Sequence, residues 1–470
     1  MKKFLGIALA LALVTPSGSA SAEVLKNLKV GGALDFQANS AKNVRDFVSQ
    51  DNDRIGNALT RVMVNTNWDL LDDIHANVSL VKNDRAWGNV GNTGQVGAQS
   101  NGSAGAQPIG TAGANVLGSV YLQQANVKVD KFIGAFDAVV GRQFFGEPGD
   151  LVIYVGPKNN YGMYVTALDA FRLDWANDMV GFTGLAGKAT GNDPATNNQA
   201  DVDVRGFDVG VKGLPVKLNA FVWNKVSHDT LAAGAQKADY LWVYGLKSKI
   251  EAMGGWAGLQ FAMNSGENRT IGGGASGNYT GKAAILDLGY KADISNVGAF
   301  TPWVNIGAGT GRISTKENKI GGFKSIASDY RPGIINGRFN NVSDYNMQVQ
   351  AGGDVSTNGL ENRIVMGVGL KTTPAMADKL VVGLSFTDYR FQTATDGDAT
   401  FIMADGRTHN NKHIGSEVGI TADWKHSENV SYGVGLAKFL PGGYIYENNR
   451  KAGKGVNAAT LCFADLSLKF

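Results

Sequence analysis

The feature that most constrains this chain is a two-residue hydrophobic period that returns along almost its whole length. In "LKVGGALDFQAN" the even positions Leu28, Val30, Leu34, Phe36 and Ala38 are apolar, while Lys29, Asp35, Gln37 and Asn39 are polar. "TRVMVNTNWDL" repeats the pattern, with Val62, Val64, Trp68 and Leu70 set against Arg61, Asn65, Asn67 and Asp69. "NRIVMGVGLK" and "GSEVGITADW" do so again near the other end. Successive side chains on a strand point to opposite faces, so each stretch has one oily and one wet side. About eighteen such stretches of ten to thirteen residues are present, from 28–40 and 57–70 through to 430–439 and 458–470. That length is about twice the common globular strand, and matches what a tilted strand needs to cross a bilayer core.

The connections narrow the choice further. They alternate short and long: "LDD", "DKFIG", "ND", "GLP", "AMGG" and "HSEN" are brief, and the intervening gaps run from about ten residues to nearly fifty. An even number of long amphipathic strands joined in this rhythm is the signature of an outer-membrane barrel. The expected fold class is therefore all-β: a transmembrane up-and-down antiparallel β-barrel of about 18 strands over residues 23–470. Its long extracellular loops are expected at about 84–117 and 311–359. Within the second, "YNMQVQAGGDV" alternates weakly; counting it as a membrane strand would spoil the order, so it is assigned to a loop that could fold in and narrow the pore.

The N-terminus agrees with export. Lys2 and Lys3 precede an apolar run from Phe4 to Val14, and Ala20-Ser21-Ala22 supplies small residues at a cleavage site, so 1–22 reads as a signal peptide. Composition excludes other classes. The 63 glycines are about 13% of the chain, nearly twice the usual share, yet they have no collagen period. With 44 basic residues against 41 acidic there is no concentrated basic stripe, hence no expected nucleic-acid partner. One cysteine excludes a disulfide framework and a thiolate metal cluster.

If the wet face of each strand lines a lumen, the candidate pore-lining residues are Lys29, Asp35, Arg61, Asp69, Lys128, Arg172, Asp174, Lys217, Lys247, Arg363, Lys371, Glu417 and Asp423, with Asp208 and Asp287 beside them. Over the strands the tally leans mildly cationic. Trp68, Trp175 and Trp424 fall on the oily face close to short turns, where an aromatic girdle anchors a barrel. The last strand places Leu466, Leu468 and Phe470 on alternate positions, and this ending resembles the signal read by the outer-membrane assembly machinery. No catalytic set emerges. "GAGTGR" at Gly307 to Arg312 lacks the Lys-Ser/Thr of a phosphate loop. The five histidines show no designed metal-ligand spacing. No cofactor, metal or enzymatic activity is expected.

Several short motifs, in order, resemble the alginate-export family of outer-membrane barrels. They are Gly141-Arg142-Gln143, "DAFR" at Asp169 to Arg172 (with Ala170 where the family has glycine), "ILDLGYKAD" at Ile285 to Asp293, and Gly415-Ser416-Glu417. The resemblance implies a single-chain barrel carrying an anionic polysaccharide or smaller solutes, with Arg142 and Arg172 as constriction charges. It also implies an arginine-rich pore, whereas this wet face mixes signs and uses lysine more often. The leading expectation is thus a porin in the outer membrane of a Gram-negative-type bacterium, passing small solutes with an anionic preference. The alternative is an exporter of an anionic exopolysaccharide such as alginate. Expected partners are membrane lipid, the assembly machinery and the translocated solute or polymer.

Overall fold

The computed structural model describes residues 26–45, 47, 53–86, 120–190, 202–228, 238–268, 277–311, 319–339, 360–393, 400–402, 408–451 and 453–470. The stretch 1–22, residues 87–117 of the first expected loop and the "YNMQVQAGGDV" segment lie outside these residues.

Eighteen long antiparallel strands form the wall. They are β1 (Lys26–Lys42), β2 (Ile55–Leu71), β3 (Ile74–Ala86), β4 (Tyr121–Ile133), β5 (Phe136–Gln143) and β6 (Leu168–Ala176). Next come β7 (Val180–Thr190), β8 (Val202–Val211), β9 (Val216–Ser227), β10 (Asp239–Ala252), β11 (Gly255–Asn268) and β12 (Lys282–Tyr290). The series ends with β13 (Gly298–Gly309), β14 (Arg363–Pro374), β15 (Leu380–Arg390), β16 (His413–Lys425), β17 (Val430–Pro441) and β18 (Ala459–Lys469). Each pairs with the next, and β18 pairs with β1 from Ala33↔Lys469 to Lys42↔Thr460, so the sheet closes and has no free edge. Closure is what lets strands lie in lipid, because every backbone polar group of the wall then finds a partner.

The short turns lie at one end, taken as periplasmic by the rule for such barrels. The turn from β10 to β11 is Met253-Gly254, with φ of 50° and 82°. Positive φ at both central residues is the hairpin turn that matches strand twist. Outward positions are apolar and exposed, among them Leu246, Leu259, Ile306, Val368, Phe386 and Ile420. With exposed apolar residues along the middle of the outer face and strands this long, the fold is that of an integral outer-membrane barrel.

The core lies between the inner face of the wall and two segments that cross the lumen. The connection between β5 and β6 (144–167) and the stretch 319–339 between β13 and β14 both turn inward. Leu151, Val152, Ile153, Val155, Phe323, Ile326, Ala327, Ile335 and Phe339 are all buried in one apolar cluster. The two segments are stitched together: the N–H of Tyr154 donates to the carbonyl of Ala327 (2.8 Å), and that of Ala327 to the carbonyl of Val152 (2.8 Å). An apolar run such as 151–155 could not stand in water at the end of an outer loop. The lumen is the place where it is covered.

Candidate functional site

The site is the passage left between the two inward segments and the wall. Two wall residues of opposite sign fasten these segments. Arg61 of β2, 5% exposed, donates to Asp35 Oδ2 through Nη2 (2.7 Å) and Nε (3.0 Å). Its Nη1 donates to the carbonyls of Lys158 (2.9 Å) and Met163 (3.3 Å) on the first segment. Asp35 accepts a further bond from Ser467 Oγ at 2.6 Å. Four strands away across the β18–β1 seam, Glu417 of β16, 2% exposed, accepts the N–H groups of Ile334, Ile335 (3.1 Å) and Asn336 (3.2 Å). These are amides at the start of the one-turn helix Ile335–Arg338, which cannot bond within the helix.

More fastenings follow. Lys247 pairs with Asp150, and its ammonium lies 5.1 Å over the Phe221 ring. Arg338 spans Asp465 (2.5 Å) and Asn39 (3.1 Å), with its guanidinium 4.1 Å above Phe463. Tyr330 donates to Asn305 at 2.6 Å, and Tyr389 to the carbonyl of Pro332 at 3.1 Å. Burial raises the Tyr330 hydroxyl above its ordinary range, and pushes Tyr154 up to about 12.

The sequence candidates divide between fastenings and free lining. Lys29, Asp69, Lys128 and Arg172 border one cavity toward the short-turn end. There His75 bridges Asp69 (2.6 Å) and Asp130 (3.1 Å), Lys128 holds Asp130 (2.6 Å) and Asp137 (3.0 Å), and Arg172 holds Asp174 (2.7 Å). Lys217 and Asp208 border a second cavity, and Asp423 a third, with Asp287 bordering both of these. Lys371 pairs in register with the inward Thr301 and Gly383. Arg363 lies 4.3 Å over Phe391 and donates to the carbonyl of Asn362 at 3.2 Å, at the long-loop end.

Arg142 is a correction. It pairs in register with Ala125 and Asp169, opposite in parity to the inward Asn126, Gly141 and Ala170. It bonds Asp169 at 3.0 Å on the outer side of the wall, so it is no constriction charge: strand parity overrides the motif. Trp68, Trp175 and Trp424 occupy outward positions within three residues of the ends of β2, β6 and β16. Trp175 sits 6.2 Å from Phe136. Leu466 and Leu468 are outward, and Phe470 exchanges backbone bonds with Gly32 (2.9 and 3.1 Å).

The arrangement closest to a hydrolase is Asp388, His413 and Ser416. Both the carboxylate (2.9 Å) and the hydroxyl (3.3 Å) meet the same ring nitrogen, Nε2. A relay needs one on each nitrogen, so this set cannot pass a proton from serine to aspartate through histidine. Among the described residues no group of three His, Cys, Asp or Glu is placed to hold a metal ion.

Sequence reasoning missed the inward turn of 144–167 with its Asp150, and separately the pair of Arg338 on the second segment with Asp465 of β18. The available signal was the run "LVIYV", an apolar pentapeptide in what would otherwise be an exposed loop.

No family model matches the chain, and comparison with curated proteins finds no match. Solved structures do resemble it. OprD from Pseudomonas aeruginosa, an outer membrane protein, has a TM-score of 0.51 at 11% identity, covering 97% of each chain. OpdK from the same organism, solved with vanillate, has a TM-score of 0.52 at 9% identity, covering 95% of this chain and 99% of its own. OccK11 (OpdR), also from that organism, has a TM-score of 0.51 at 10% identity, covering 95% and 97%. At such identity the likeness is one of fold. It places the chain with the integral β-barrels of the outer membrane.

Proposed function

We propose that this barrel is a porin, a passive channel for small polar solutes whose width is set by the two inward segments. The observation that carries the reading is the lashed pair of segments across a wall of eighteen strands. Closing that many strands leaves a lumen wider than side chains fill, and here loops, not side chains, do the narrowing. Mechanism is diffusion down a gradient, filtered by the remaining width and the charges along it.

The charge preference is weakly anionic at most. The inward lysines Lys29, Lys217 and Lys371 have no carboxylate within 4 Å among the described residues, and Asp208, Asp287 and Asp423 likewise have no cation. Lys29 favours anions at the first cavity, Lys217 shares the second with the opposing Asp208 and Asp287, and Asp423 borders the third. An exporter of anionic polysaccharide would call for an open, arginine-lined bore, which a fastened double segment obstructs. Purified protein in a planar bilayer tests the reading: discrete ion-conducting steps are expected, with a reversal potential in a KCl gradient displaced slightly toward anions. Absence of steps overturns the channel; strong cation selectivity overturns the charge assignment.

A further inference from the structure

The lumen carries a feature that the charged fastenings do not account for: indole rings packed against glycine. Trp256 of β11 and Trp303 of β13 have inward parity, and Gly289 of β12 pairs with both. A Cβ added to Gly289 would have the Trp256 ring as its three nearest neighbours, beginning with Cζ2 at 2.0 Å. One added to Gly369 of β14 would meet Cε2 and Cζ2 of Trp303 at 2.5 Å. Glycine is thus required at both places for each ring to rest on the neighbouring strand. Both indoles remain only half-buried. A ring packed against the wall in this way takes little width from the lumen and, half-buried, leaves part of its surface open to whatever passes.

The surroundings restrict what would stack there. Trp256 borders a cavity of about 1400 Å³ and Trp303 one of about 660 Å³. Asp287, one register step from Gly289, borders both. Its carboxylate accepts from the Asn305 amide and has no cation within 4 Å among the described residues. Asp423 borders the cavity of Trp303 as well. An apolar face flanked by carboxylate and amide groups suits a ligand with C–H groups on one side and hydroxyl donors at its edge. An aromatic acid also offers a flat face; its carboxylate would be repelled by Asp287 and Asp423 but drawn to Lys217 in the cavity of Trp256, which makes it the competing probe.

We propose that Trp256 and Trp303 form a stacking platform for an uncharged sugar ring, with Asp287 and Asn305 taking its hydroxyls. This rests on the channel reading above and names a solute class for it. The test is block of single-channel current by maltotriose, with benzoate as the competing probe, each scored as a fraction of the same variant's open current. Concentration-dependent block of the wild type by maltotriose is expected. Trp303→Ala and Trp256→Ala should each raise the half-blocking concentration at least tenfold. Gly289→Ala, which lifts the Trp256 ring off the wall without removing it, should move it the same way. Maltotriose failing to block a channel that conducts, or benzoate blocking at lower concentration than maltotriose, overturns the sugar platform and leaves the porin standing. Equal block in wild type and all three variants overturns the assignment to these rings. Wild-type protein that passes no current overturns the porin reading itself.

Discussion

The two inward segments are held by opposite chemistry. The first is gripped by Arg61, a wall cation that donates to two loop carbonyls. The second is gripped by Glu417, a wall anion that accepts three loop amides. The difference follows from what each segment leaves unpaired. Around Lys158 and Met163 the chain turns with carbonyls toward the wall, whereas at Ile334–Asn336 it enters a helical turn, and a helix start exposes N–H groups. A buried backbone group without a partner costs about 1–3 kcal/mol, so the sign of each wall charge is set by the backbone it serves. Charge in this lumen is in large part architectural.

That contrast can be broken one side at a time. Glu417→Ala should have the largest effect, since it leaves three amides without an acceptor and unfastens a one-turn helix too short to hold itself. Single-channel conductance should rise by about half or more with added open-state noise, while Glu417→Gln, which keeps one acceptor oxygen, falls between. Arg61→Met should loosen the first segment less, because it frees two backbone carbonyls instead of three amides, and Asp150–Lys247 and the packing of Val165 on Met63 and Val81 still hold the 144–167 stretch. Limited proteolysis within 144–167 should accelerate, and Arg61→Lys should rescue it only in part, lacking the guanidinium fork.

A smaller effect belongs to pH. The Tyr154 hydroxyl is raised by burial to about 12. Its contribution to holding the segment is therefore complete below the unfolded value of about 10, and is lost as pH rises through 12. Conductance should hold steady to pH 10 and then drift upward, and Tyr154→Phe should blunt the drift. Arg142→Ala should do least: its partner Asp169 has a side chain 62% exposed, and exposed pairs contribute about 0–1 kcal/mol. A changed reversal potential in that variant would return Arg142 to the lumen.

The wall was almost wholly legible in the sequence and the inward segments hardly at all. The reason is periodicity. A strand with lipid on one side and water on the other must alternate, and β16 over His413–Lys425 runs over the very residues that the alternation marks, 413–425. Where the ladder slips, the alternation is interrupted: β4 (Tyr121–Ile133) carries register shifts against both neighbours, at Ser79/Leu80 and at Val129/Ile133. The segments across the lumen have no such repeat, since they are covered from several directions at once. Arg61 and Glu417 were recognisable as inward from parity alone. That one serves carbonyls and the other amides depends on loop conformation, which no local pattern encodes.

The joining of β1 to β18 has a consequence for how the molecule is made. The bond from Ser467 to Asp35 links groups 432 positions apart, and none of the hairpins along the wall can supply it. Closing a loop of that span carries an entropic cost that local pairing does not offset until both rims have already been laid side by side. The rate of assembly should therefore be governed by the last seam and not by the seventeen hairpin-like pairings before it. Weakening that seam, for example with Ser467→Pro, should slow the appearance of closed barrel far more than an equal disruption between β10 and β11.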